Sequence, residues 1–258
     1  MLYNIKEFFK GIGAYVKAHR TISKYNLWSY MTLPGIMSLC YIFLLIFLGN
    51  IYFSGLSDHI NKNWIPTFMK GEAMVIVTFV LLWIVLFLIA YITYRQIVLI
   101  FFSPILSYLS EVTEKVVYNE PPPELNFKDF VKDIIRGLII NLRNLFLTII
   151  LTFFAWILVF IPILGVMVSP VLMFLIQFYY NGFGLIDYTL ERKRYSVRES
   201  IEFARGNRAR VIGVGAGFML MLLIPLVGWF SAPAYGTIAA TLAALDKINE
   251  NDPRLEGL

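Results

Sequence analysis

Cysteine is almost absent from this chain. Cys40 is the only one among 258 residues, which excludes an internal disulfide and a cysteine-based metal cluster. Histidine is nearly as scarce, with only His19 and His59, which should lie on opposite sides of a membrane. No H-E-x-x-H, G-x-S-x-G or phosphate-loop pattern occurs. With no catalytic constellation in the chain, neither an enzyme nor a cofactor is expected. Asp and Glu are missing from residues 73–110, 134–186 and 203–245. Carriers driven by protons or sodium commonly keep a carboxylate inside the bundle. These gaps therefore favour a channel-like or facilitated route, although carbonyls of a helix unwound at Pro162 or Pro225 could hold sodium.

What the chain does have is apolar length. Hydrophobic residues make up 59% and charged residues 15%, and the mean hydropathy is +0.71, values that belong to an integral membrane protein. The formal charge of +5 comes from basic residues flanking apolar runs. There they meet lipid phosphates and set topology, and nucleic acid is not an expected partner. The first run, from about residue 27, is too long for a signal-peptide core and reads as a retained anchor.

The pattern divides a single membrane domain into segments. In residues 1–26, Leu2, Ile5, Phe9, Ile12 and Val16 recur at helical spacing opposite Lys6, Lys10, Lys17, Arg20 and Lys24, the pattern of an interfacial amphipathic helix. A first span lies in 27–57, started or kinked at Pro34-Gly35. A second lies in 73–94, whose 22 uncharged residues reach roughly 33 Å, enough for a hydrocarbon core of about 30 Å. Five basic residues precede the first span and two lie in the loop after it, which places the N-terminus in the cytoplasm. Residues 95–143 form a cytoplasmic extension in which Ser103-Pro104 breaks the chain and Asn126 caps a helix with Phe127, Phe130, Val131, Ile134, Ile135 and Leu138 on one face. Residues 187–210 hold a cytoplasmic helix started by a Ser196–Glu199 capping box and continuing into the apolar stretch from residue 211. Residues 246–258 are a short frayed tail.

Two charge-free stretches carry the same punctuation 63 residues apart: Ile161-Pro162-Ile163-Leu164-Gly165 with Pro170, and Ile224-Pro225-Leu226-Val227-Gly228 with Pro233. Proline ends the first helix, glycine lets the chain reverse, and the later proline should start the next helix. Residues 144–186 and 211–245 are thus two helical hairpins. Uncharged tips argue that they stay in the membrane. The second pair of arms, 211–224 and 234–245, reaches only about 21 and 18 Å at about 1.5 Å per residue. The first pair is borderline, with a complete crossing as the alternative. The fold expected is all-α: two full transmembrane helices plus two Pro/Gly-tipped, half-penetrating re-entrant hairpins, with helices extending into the cytoplasm. Interrupted helices at matching positions of two repeats also point to a transport pathway.

Gly213, Gly215 and Gly217, with Gly236, Ala240 and Ala244, form small-residue ridges. No strand precedes the glycines, so the ridges serve close helix packing rather than a nucleotide loop. Arg143, Arg208 and Arg210 stand where the first arm of each hairpin enters the membrane, and Arg20 and Lys24 just before the first span. One reading is an electropositive vestibule for an anion that then meets backbone N–H groups at helix starts. The other is lipid-phosphate anchoring and positive-inside topology.

The amphipathic N-terminal segment, Leu33-Pro34-Gly35, Phe102-Ser103-Pro104 and the two Pro/Gly tips together resemble the CysZ-type sulfate permeases and the related etoposide-induced-protein family, over nearly the whole chain. The resemblance implies two spans, two half-penetrating hairpins, a homo-oligomer and sulfate uptake across a bacterial inner membrane. Members of that family carry a Gly-hydrophobic-Arg-Arg motif before the first span. Here the corresponding residues are Asn26, Leu27, Trp28 and Ser29, without either arginine, so sulfate binding should be weak and salt-dependent. The function expected is an anion permease or channel, and the alternative is a non-transporting membrane scaffold working through the small-residue ridges.

Overall fold

The computed structural model describes residues 2–121, 127–161, 164–224 and 227–249. Over these the chain is helical: α1 (Leu2–Tyr25), α2 (Trp28–Asn63), α3 (Glu72–Phe101), α4 (Ser103–Val117), α5 (Phe127–Ile157), α6 (Leu164–Arg192), α7 (Val197–Gly206), α8 (Arg208–Leu222) and α9 (Val227–Ile248). Three helix ends stop the same way. Asn26, Asn119 and Arg194 take positive φ, and the next residue donates back to the carbonyl five positions earlier, as Leu27 does to Ile22 at 3.0 Å. This is the Schellman stop, for which asparagine suffices in place of glycine.

The chain divides into two compact units. One comprises residues 36–97, the body of α2 and α3. There the two helices form a hairpin in which Gly49 faces the Trp83 ring and Leu86, Phe53 meets Trp83 edge-on at 5.2 Å, and Ser57 Oγ donates to the Val75 carbonyl at 3.0 Å. The helix α2 runs through Pro34-Gly35 unbroken, so that pair neither starts nor interrupts it.

The other unit, residues 1–35 and 98–258, is organised around α8, which packs on α1, α6 and α9. The glycine ridges are what allow this. A Cβ on Gly215 would lie 1.8 Å from the Phe178 carbonyl oxygen, and one on Gly213 2.1 Å from that of Phe8. Gly213 and Gly217 thus face α1 and Gly215 faces α6, with the reciprocal close approach at Gly11 and Gly182. Helix backbones meet directly, which small residues permit and larger ones forbid. Contacts advance in step, from Glu7–Arg210 through Gly11–Gly213 to Tyr15–Gly217, so α1 and α8 run parallel. The outer face of α1 keeps Leu2, Ile5, Phe9 and Val16 exposed. The amphipathic stripe is real, but it points away from the bundle.

α9 is buried on all sides from Ser231 to Leu245 except at Tyr235, and Thr241 joins Ser110 of α4 at 2.8 Å while Ser110 joins Thr189 of α6 at 3.1 Å. The Ser196–Glu199 capping box forms in both directions. The helix it starts, however, does not run on into the second hairpin. It ends at Gly206, and Asn207, whose side chain donates to the Phe203 carbonyl at 3.0 Å, separates it from α8. Ile135 and Leu138 lie outward on α5, 55% and 37% exposed. Asn126 and the tail from residue 250 lie outside the described residues.

A length finding changes the first hairpin. Residues 28–63, 135–160 and 164–192 are each long and apolar enough to cross a membrane, so both arms of the first hairpin have crossing length. In the second, α8 has 15 residues, roughly 22 Å, short of a core of about 30 Å.

The glycine contacts predict a sharp contrast. Gly215→Ala should destabilise the detergent-solubilised protein by about 2 kcal/mol or more, because backbone on both sides must move. Gly13→Ala, with open space around its Cβ position, should be neutral or stabilising by about 0.5–1 kcal/mol. Thermal unfolding monitored by circular dichroism checks both, and equal effects would contradict the packing account.

Candidate functional site

The two hairpin tips are built alike. Ile161 N–H donates to the Leu158 carbonyl at 2.9 Å and Ile224 N–H to that of Met221 at 3.0 Å; Gly165 then bonds to Ile161 at 3.0 Å and Gly228 to Ile224 at 2.9 Å. A Cβ would stand 1.7 Å from the Leu158 oxygen at Gly165 and 1.9 Å from the Met221 oxygen at Gly228. Each tip therefore requires its glycine for the same close approach. Pro162 and Pro225 lie outside the described residues. Pro170 and Pro233 do not start helices, because α6 and α9 begin before the tip glycines and both prolines sit inside them. Each merely removes one N–H from a helix that continues, which membrane helices tolerate.

At the base of the second hairpin the arginines are used in two ways. Arg210 is 3% exposed and paired on two sides: its Nε donates to Glu7 at 3.1 Å and its Nη1 to Asp246 at 2.7 Å, while Lys247 lies 3.1 Å from Glu7. It is a structural ion pair and not an open anion ligand. Burial works against charge on Glu7, but Lys247, Arg210 and Lys10 prevail and hold its carboxyl below the usual 4.5. Burial likewise opposes charge on Asp246, and Arg210, Lys10 and Lys17 pull it below 3.8.

Beside this cluster opens a hollow of about 350 Å³, lined by Tyr3, Asn4 and Glu7 of α1 and by the α7–α8 junction with Arg205, Asn207, Arg208 and Arg210. Arg205 and Arg208 are exposed on it. Arg205 also acts electrostatically on Tyr179 and Tyr180 of α6, as does Arg143 of α5. Arg205 and Arg208 form a basic rim on the hollow, and Arg143 lies near the same two tyrosines as Arg205. Arg205 was not among the residues singled out from sequence, since it belongs to neither hairpin entrance; only the helix break at Asn207 turns it toward the hollow.

The remaining sequence candidates lie elsewhere. Because α1 and α8 run parallel, Arg20 and Lys24 sit roughly 20–25 Å along α1 from Glu7, toward the second tip and away from the basic rim. Lys24 stands over the Tyr25 ring at 5.2 Å. Asn26 is the Schellman stop of α1, Ser29 is exposed, and Trp28 packs edge-on to His19. His19 Nδ1 is 2.7 Å from the Tyr235 hydroxyl, which joins α1 to α9.

The model of the sulfate transporter CysZ/etoposide-induced protein 2.4 family matches residues 14–233. No curated protein matches the chain significantly.

The ion cluster predicts the acid limit of stability. Glu7 and Asp246 hold protons more weakly folded than unfolded, so their stabilisation is present above about pH 4.5 and is lost as pH falls through the lowered folded values. Melting temperature in detergent should fall below that pH, and Glu7→Gln should flatten the fall. Arg210→Ala should cost about 3 kcal/mol, because Asp246 loses its ion-pair partner and Glu7 is left with Lys247 and Lys10 alone. A melting curve of Arg210→Ala matching the unaltered protein would show that the cluster contributes nothing.

Proposed function

The chain belongs to the sulfate transporter CysZ/etoposide-induced protein 2.4 family, and from that premise we propose that it passes sulfate or another small anion across a bacterial inner membrane. The family match carries this reading. The two alike tips support it as a pair of corresponding helix interruptions, and the rim of Arg205 and Arg208, with Arg143 near it, supplies the charge that gathers anions at an entrance. Without a fixed carboxylate in the apolar segments, transport runs down a gradient. The N-terminus and both hairpin bases face the cytoplasm, the second hairpin re-enters, and several copies of the chain assemble. For a scaffold the small-residue ridges were the working surface, but Gly213, Gly215 and Gly217 are spent inside the fold. That removes the feature on which the scaffold reading stood.

Re-entrance is tested with Cys40 replaced by alanine and single cysteines at Met167 and Val227, 70% and 67% exposed. The Val227→Cys protein should resist an impermeant thiol reagent applied from the periplasmic side. Ready labelling of both positions from that side would mean two complete crossings.

Transport is tested by radiolabelled sulfate uptake into proteoliposomes, with other oxyanions as competitors. Uptake should be saturable and indifferent to an imposed proton or sodium gradient. The Arg205→Ala/Arg208→Ala double variant should lower it several-fold at low salt and less at physiological ionic strength, where a Debye length of about 8 Å already screens the rim. Absence of flux for every oxyanion tried, from correctly inserted protein, would refute the proposal.

A further inference from the structure

The helix α5 reverses the pattern of a soluble protein. Phe146, Ile149, Phe153 and Phe154 are each more than half exposed, while Asn141, Asn144 and Thr148 are each 4% exposed at spacings of three and four, a single polar face turned inward. Its two neighbours behave alike: α4 buries Ser103 and Ser107, and α6 buries Ser169 and Asn181. These three helices pack against one another, with Gly137 of α5 directly against Ser103. Arg136 pairs with Asp187 at 3.5 Å, Asn141 bonds to Tyr188, and Leu158 meets Gly165 at the tip. In that antiparallel register Asn181 stands level with Asn144 and Thr148.

Burying a polar group without a hydrogen bond is costly, and native interiors avoid it. Here the hydroxyls of Ser103, Ser107, Thr152 and Ser169, the amide nitrogen of Asn144 and both polar atoms of Asn181 have no hydrogen-bond partner among the described residues. They are buried on three helices that pack against one another, with α4 at the base, where Ser103 meets Gly137, and the α5 and α6 groups spaced along the two arms toward the first tip. An interface evolved only to pack would carry apolar or fully paired groups there.

We propose that this seam between α4, α5 and α6 is the aqueous path of the permeating anion, an inference that rests on the transport reading above. Its chemistry suits an oxyanion. Serine and threonine hydroxyls and asparagine amides donate hydrogen bonds in place of hydration water. No carboxylate on α5 beyond Asp133, or on α6 before Asp187, repels the ion. The absence of lysine and arginine beyond Arg143 on this face avoids binding too tight for release. Arg143 Nη1 donates to Asn144 Oδ1 at 3.3 Å, fixing the amide and joining the basic rim to the start of the seam. At the base, Arg136 pairs with both Asp187 and Glu191 at 3.5 Å and offsets part of their charge.

The test uses full-length protein in proteoliposomes with Cys40 replaced by alanine. Cysteines at Ser107, Thr152 and Ser169 are compared with one at the outward Phe153 for reaction with an anionic methanethiosulfonate. The seam cysteines should react on the order of tenfold faster, since thiolate forms only where water reaches, and sulfate should slow them. Asn181→Leu should lower anion flux on the order of tenfold, as loss of one donor along the path would, without lowering the melting temperature. Unreactive seam cysteines in protein that still conducts would overturn the seam and leave transport standing. So would an Asn181→Leu variant that melts higher and conducts normally, the behaviour of a dry interface. Reactive seam cysteines in protein that passes no anion would support the aqueous seam and overturn the transport reading.

Discussion

Direct backbone contact along α8 is the constraint around which the larger unit is arranged. In a membrane, lipid tails are as apolar as leucine, so helices gain little by hiding hydrophobic surface from one another and depend on close packing instead. Gly213 and Gly217 admit α1 on one side, and Gly215 with Gly182 admits α6 on another. With α9 on a further side, α8 is fixed by neighbours that cannot retreat without opening voids. The parallel course of α1 comes from the same contacts. So does the separation of Arg20 and Lys24 from the arginines at the hairpin bases.

The charges sort themselves within that frame. Three ionic groups, Glu7 with Arg210, Asp246 and Lys247, Arg136 with Asp187 and Glu191, and Glu114 with Arg192 and Lys193, gather near the ends of helices rather than along the apolar arms. Buried charges persist when paired and hydrogen-bonded, and are costly otherwise. Pairing them at the bases leaves the interior of the first hairpin polar but uncharged. Arginines of similar sequence position therefore have unlike roles: Arg210 is a buried tie, whereas Arg208, two residues earlier, stays on the open hollow.

The order of residues alone settles the membrane class, the two hairpins, the matched tips, the capping box and the packing role of the glycines. Each is local, set by apolar run length, by a side chain that caps its own helix or by the absence of a Cβ in glycine, and so is legible without knowing what lies opposite; the role given to Pro170 and Pro233 as helix starts was not, since both sit inside continuing helices. The partners of Arg210 were not legible, because Glu7 is 203 residues away and no spacing rule connects them. Nor was Arg205, which faces the hollow only because α7 stops at Gly206. The break that separates it from α8 looked from sequence like a continuous helix. The inward polar face of α5 was present as a period of three and four in the sequence, yet which face turns inward depends on α4 and α6. Local chemistry fixed where helices form and reverse, whereas tertiary packing decided which charges are spent on the fold and which remain open, because pairing and burial are properties of neighbours that the chain brings together only when folded.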